Sequence, residues 1–240
     1  MPTHSPHDTP GQTRDPEGLW RPAPHSGRGR RPTLNREAIT TAAVAMADAE
    51  GWDAVTMRKV AAAVGAGVMS LYHYAPDKET LLELMVDHVA GEQAAHPTPA
   101  TADWRADLRA FAHEQRALLL RHPWLPTALL APRSLGPNTL AVTEHALGLL
   151  RPSGLPAGAC LEVFAQVTAL VTGHAAYEAA RAATTNDPAR AAAEARWLTT
   201  VLSEGAHPNL AEALAHATPT APDTTFDRAL TRLLDGLPTP

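Results

Sequence analysis

The sequence predicts an all-α protein: a small N-terminal helical unit followed by a larger C-terminal helical body. Three observations carry that reading. Hydrophobic residues make up 45% of the chain but aromatics only 5%, which suits helices packed through small side chains better than the β-branched, aromatic strands of a sandwich or barrel. Apolar residues recur at 3,4 spacing in one segment after another. Capping residues, glycines and prolines punctuate those segments, and no internal repeat or credible strand interrupts them. At 240 residues and 25.4 kDa the chain holds one substantial core or two small domains sharing a seam.

Residues 1–27, with prolines at 2, 6, 10, 16, 22 and 24 and no apolar period, read as a disordered leader. Arg28, Arg30 and Arg31 form a flexible basic arm. A helix follows, capped by Asn35, with Glu37 in the first turn, where the helix dipole favours a carboxylate. Ile39, Ala42, Ala43, Met46 and Ala47 line its buried face, and Gly51 ends it. Thr56 caps a short helix from Met57 to Val64. Gly65-Ala66-Gly67 breaks it, and a second short helix runs from Val68 to about Tyr74 with Leu71 inward. Asp77 caps a longer helix striped with Leu81, Leu82, Met85, Val86 and Val89, expected to close near Gly91. The N-terminal domain is therefore expected at 28–91.

A connection rich in Pro, Thr and Ala leads to a body expected at 102–236. Its first helix runs from Asp103 to Arg121 and is ended by His122-Pro123. A short apolar piece spans Trp124 to Leu130, and another helix spans Asn138 to Leu150. A long helix opens at Pro156 and reaches about Thr184 with charges only at Glu162, Glu178 and Arg181, so it is expected to be buried on more than one face. Asp187-Pro188 begins another helix, reaching about Glu204. Phe226, Leu230, Leu233 and Leu234 mark the last.

The single cysteine, Cys160, excludes a disulfide framework and a Cys-pair zinc site, and fits a reducing compartment. No run approaches the ~18 apolar residues of a membrane span, and the N-terminus lacks a signal peptide. A cytoplasmic chain with no membrane partner is expected. The net charge of -5 argues against a protein that coats nucleic acid over its whole surface. Residues 28–78, however, hold seven basic groups and five acids, including both lysines, whereas residues 92–240 hold eleven and fourteen. A locally basic unit on an acidic body is compatible with nucleic-acid contact at one end.

Two short helices across a glycine-containing turn form the helix-turn-helix pattern, whose second helix is short enough for the ~12 Å major groove. Thr56-Met57-Arg58-Lys59-Val60-Ala61, Val64-Gly65, Ser70-Leu71-Tyr72-His73-Tyr74 and Lys78-Glu79-Thr80-Leu81-Leu82 together resemble the DNA-binding domain of the TetR (tetracycline-repressor-like) transcription regulators, over about residues 35–90. More loosely, Gly136-Pro137-Asn138-Thr139 and Phe226-Asp227-Arg228-Ala229-Leu230 resemble the ligand-binding half of the tetracycline-repressor type. The resemblance implies an N-terminal three-helix helix-turn-helix domain and a C-terminal effector-binding, dimerising domain. It implies that Thr56, Tyr72 and Lys78 hold phosphates, that Arg58 reaches a base edge or phosphate from the first short helix, with Met57 also in the DNA-binding set, and that Val68, Met69, Ser70 and His73 face bases. Val68 and Met69 depart from the polar or proline readers of tetracycline repressors and suit thymine methyls instead. Arg28, Arg30 and Arg31 would enter the adjacent minor groove.

In the body, His113, Gln115, Gln166, Thr168, His174 and Tyr177 are polar groups on otherwise apolar helices, with Trp124 and Phe164 as flat walls. As a set they point to a cavity for an aromatic, weakly polar effector. Tetracycline repressors hold their drug as a magnesium complex through a helical histidine. No histidine here stands at a spacing that carries that role over, and no metal or cofactor is expected. No nucleophile–base pair or phosphate-cradling glycine loop points to an enzyme. The expectation is a homodimeric, ligand-responsive repressor that binds a double-stranded DNA operator and is released by a small-molecule effector. The alternative is a helical carrier or interaction protein without specific DNA binding.

Overall fold

The computed structural model describes residues 16–20, 34–185, 187–218 and 221–237. Arg28, Arg30 and Arg31 lie outside them. Among the described residues there are helices and no strands: α1 (Pro16–Trp20), α2 (Arg36–Glu50), α3 (Met57–Ala63), α4 (Val68–Tyr72), α5 (Lys78–Ala95), α6 (Trp104–Arg121), α7 (Leu125–Ala128), α8 (Pro137–Leu150), α9 (Ala157–Thr185), α10 (Pro188–Ser203), α11 (Pro208–Ala215) and α12 (Pro222–Asp235).

Side-chain caps decide where the N-terminal helices begin. Asn35 Oδ1 accepts from the Ala38 N–H at 2.7 Å, Thr56 Oγ1 from Lys59 at 3.2 Å, and Asp77 Oδ1 from Thr80 at 2.5 Å. Each satisfies a backbone donor that has no partner inside its helix. Gly65, at φ +67°, turns the chain between α3 and α4 and lets Ala66 N–H reach Ala61 O at 2.9 Å. A β-carbon is strained in that region of backbone space. Ile39, Ala43, Val60, Ala61, Leu71, Leu81 and Met85 are buried in the core that α2–α5 share.

The helix α5 links this head to the body, packing on α2 and along α8. The body is built where α6, α8, α9 and α12 meet. Arg116 pins three of its helices: it pairs with both carboxylate oxygens of Glu178 on α9 at 3.0 and 2.8 Å, reaches Asp223 on α12 at 2.8 Å, and lies 5.0 Å from the centre of the Phe226 ring. The hydrogen bond to Glu178 raises the guanidinium above its ordinary pKa; burial opposes the shift and Asp223 adds to it.

Four features differ from the sequence expectation. Pro16–Trp20, inside the span read as a disordered leader, is helical and docked: Arg36 Nη1 donates to Leu19 O at 2.6 Å, and Trp20 Nε1 to Ser134 Oγ at 2.8 Å. A helix of five residues has no stability of its own, so these distant contacts hold it. α5 continues through Gly91 to Ala95. A Cβ at Gly91 would lie 3.1 Å from Asn138 Nδ2, so this glycine admits Asn138 rather than ending the helix. α11 adds a helix where none was expected. Lastly, α9 buries one stripe (Cys160, Val163, Val167, Val171, Ala175) and leaves Leu161 and Tyr177 exposed, so within one chain it is not covered on several faces. Its Ala157–Ala182 stretch is long and apolar enough, by length and composition alone, to cross a membrane, and 33% of that window is buried.

Candidate functional site

Two sites emerge, one on the head and one in the body. On the head, α4 turns Leu71 into the core and leaves Met69, at 76% exposed, and Tyr72, at 41%, facing outward. Ser70 and His73 are also exposed, and Val68 is half-buried. Beside them, Thr56 and Arg58 are exposed and Met57 is half-buried. An apolar, 76% exposed methionine on a five-residue helix serves no fold that the chain itself completes. Lys78 stands at the first position of α5 with its ammonium 4.3 Å from the centre of the Trp52 ring and donating to Trp52 O at 3.4 Å. Tyr74 is turned away, its hydroxyl donating to Leu34 O at 3.1 Å.

In the body, α5, α6, α7, α8 and α9 line a partly open cavity of about 280 Å³ walled by Val86, Leu118, Leu119, Leu125, Leu129, Val142 and Phe164. Three side-chain atoms buried along it have no hydrogen-bond partner among the described residues: Gln93 Nε2, Gln115 Oε1 and Thr168 Oγ1. Buried polar groups in folded proteins are nearly always paired, so three on one apolar cavity mark it as a place where something else supplies the partners. Arg133 also lines it, donating from Nη1 to Leu129 O at 2.7 Å. Burial pushes its guanidinium below the ordinary value, and the charge of Glu83 offsets this only in part.

The sequence-expected ligand residues divide. Gln115, Phe164 and Thr168 line the cavity. His113 instead pairs with Asp227 at 2.8 Å and meets the edge of Phe226, and His174 packs on that same ring. Trp124 gives its indole N–H to Asp48 at 2.7 Å. Gln166 is exposed, and Tyr177 lies at the surface beside Arg181. Gln93 and Arg133 were not anticipated. Gln93 follows Gly91, beyond the expected end of its helix, and Arg133 belongs to an irregular segment where periodicity carries no signal.

Residues 39–85 match the family described as bacterial regulatory proteins, tetR family, and residues 96–240 match the tetracyclin repressor-like C-terminal domain. The chain belongs to the tetR family. A curated relative, the HTH-type transcriptional repressor DrrR1 of Streptomyces coeruleorubidus, is 37% identical over 226 residues, covering 92% of this chain and 83% of that one. Among solved structures, a possible TetR family transcriptional regulator from Streptomyces coelicolor A3(2) is 30% identical with a TM-score of 0.69, covering 84% of this chain and 98% of its own. ActR of Streptomyces coelicolor in complex with actinorhodin is 27% identical with a TM-score of 0.72, covering 85% and 96%. This TetR-family protein is a DNA-binding transcriptional regulator. The carrier alternative is not favoured, since the DNA-binding module matches along with the body.

In this TetR-family regulator the body and the head are joined through charged contacts. Asp48 on α2 receives both His122 Nδ1, at 2.8 Å, and the Trp124 indole. The other ring nitrogen of His122 lies 3.1 Å from Glu92 on α5. One side of α5 also carries two buried carboxylates, Glu83 and Asp87. Glu83 accepts from the backbone and hydroxyl of Ser134, and Asp87 from Thr139 N at 2.9 Å and Thr139 Oγ1 at 3.0 Å.

Proposed function

We propose that this regulator is a dimeric repressor released from its operator by a small aromatic, weakly polar effector, with residues 28–91 reading DNA and residues 102–236 binding effector and dimerising. The observation that carries the effector half is the set of unpartnered atoms on Gln93, Gln115 and Thr168. Each buried polar atom without a partner costs about 1–3 kcal/mol. A ligand that offers partners to all three, and a flat face to Phe164, recovers that cost while filling the cavity. ActR has been solved with actinorhodin and with (S)-DNPA, ligands of that protein, and this supports the reading by analogy.

On the DNA side, Thr56, Tyr72 and Lys78 bind phosphates, Met57 and Arg58 flank them, and Val68, Met69, Ser70 and His73 face the bases. Arg28, Arg30 and Arg31 follow the minor groove. Two heads of a dimer engage half-sites roughly 34–36 Å apart, and the open face of α9 together with α12 is the surface through which the copies pair. Effector release is a shift of population: the effector binds better to the form whose heads are mis-spaced.

The test is a titration of purified protein against fluorescent duplex from its own upstream region, at two salt concentrations, with random duplex as competitor. Tight, competitor-resistant binding that weakens with salt and is reversed by an aromatic ligand is the expected result. Binding no tighter than to random duplex overturns the repressor reading.

A further inference from the structure

Part of the cavity wall is the stretch from Leu129 to Thr139, which contributes Leu129, Arg133, Leu135 and Thr139. Between α7 and α8 this stretch has no regular structure. Trp20 is docked on its middle. The indole N–H donates to Ser134 Oγ at 2.8 Å, and the same hydroxyl donates onward to Glu83 on α5. The ring edge lies so close to Gly136 that a β-carbon there would come within 2.7 Å of Trp20 Cη2. Arg36 holds Leu19 O at 2.6 Å, tying α1 back to the start of α2. Residues 16–20 precede both matched family regions, 39–85 and 96–240.

Taking the cavity to be the effector site, as in the preceding section, we propose that Trp20 is a positioning residue for that site: docked on Ser134 and Gly136, it holds residues 131–136 in the arrangement that closes the cavity. An irregular segment with few backbone bonds opens locally at low cost. Pins from outside the segment therefore set how often it opens, and Glu83 from α5 and Trp20 from α1 are two such pins. Trp20 is the more readily lost, because its helix is five residues long and none of them is fully buried. The N-terminal segment thereby governs how fast ligand enters and leaves, although none of its described residues lines the cavity.

The experiment compares the wild type with Trp20→Ala and Trp20→Phe by hydrogen exchange across 129–139 and by the dissociation rate of 1-aminoanthracene, a fluorescent neutral tricycle. Exchange is expected to quicken by about tenfold in Trp20→Ala and by less in Trp20→Phe, which keeps a ring and loses the N–H. Exchange in α9 stays unchanged, which separates the effect from general destabilisation, and 1-aminoanthracene leaves faster by a similar factor. Unchanged exchange across 131–136 overturns the docking. Faster exchange with unchanged dissociation overturns the positioning role. Failure of 1-aminoanthracene to bind the wild type brings down the cavity reading itself, and the positioning role with it.

Discussion

His122 Nδ1 lies 2.8 Å from Asp48 Oδ1, and that contact joins the turn that closes α6 in the body to α2, the first helix of the head. The residue is 7% exposed and the other ring nitrogen faces Glu92. When protonated, the imidazole donates to both carboxylates at once. His122→Ala removes both contacts and leaves Asp48 with only the Trp124 indole from this trio. The expected cost is about 1.5–3 kcal/mol, measured by urea unfolding, together with a smaller effector-induced change in operator affinity. Unaltered effector response with the stability loss in place would show that the contact serves packing alone.

Glu92 makes the same junction sensitive to acid. Burial alone raises its pKa, but the hydrogen bond from Arg121, at 2.9 Å, and the charge and hydrogen bond of His122 outweigh burial and leave it below its ordinary value of 4.5. A carboxylate with a lowered folded pKa stabilises the fold above its unfolded pKa and loses that contribution as pH falls through the folded value. The stability gap between wild type and Glu92→Gln is therefore expected to be fully open above pH 4.5 and to close below it. Glu92 is an exposed residue, so screening keeps the gap small. Thermal melts across that range, at low ionic strength, read it directly.

The cavity's polar atoms set stability against binding. Thr168→Val and Gln115→Leu each replace an unpartnered buried group with an apolar one of similar size. Each variant is expected to unfold at a higher temperature, by up to a few degrees, and to lose affinity for the ligands that bind the wild type. Calorimetry with and without ligand checks both halves. Lower melting temperatures would mean that these atoms already have partners in the free protein.

On the head, Lys78→Ala and Met69→Ala are expected to differ in kind. The lysine variant should weaken operator and random duplex alike and lower the slope of log affinity against log salt by about one. The methionine variant should change the ranking of sequences and leave the slope intact, because a thioether reads base surface and carries no charge. Parallel titrations at several salt concentrations distinguish the two.

The parts of this molecule that local chemistry dictates were readable from residue order. Asn35, Thr56 and Asp77 cap helices as their side chains predict, and Gly65 turns where a β-carbon would strain. The exposed face of α4 follows from Leu71 being its one fully buried residue. The cavity was only partly legible: Gln115, Phe164 and Thr168 were picked out as polar or flat residues on apolar helices, but so were His113, His174 and Tyr177, which the fold turns elsewhere. Period tells which face a residue occupies, not which neighbour that face meets. The contacts that went unseen span the chain, Trp20 with Ser134 and His122 with Asp48, and no local rule reaches across 114 or 74 residues.

Glu83 and Asp87 stand one helical turn apart on α5, each fastened to its own set of donors at or just before the start of α8. A slide of α5 by half a turn would strand both carboxylates away from water, at a cost of several kcal/mol each. A slide of a full turn, about 5.4 Å, would carry one carboxylate to the donors the other had left. The helix that carries the head therefore meets the body as a toothed rack meets its pawl: small displacements are resisted, and movement comes in notches. A transmission of that kind filters thermal jitter out of the signal and passes on only a push large enough to clear a tooth.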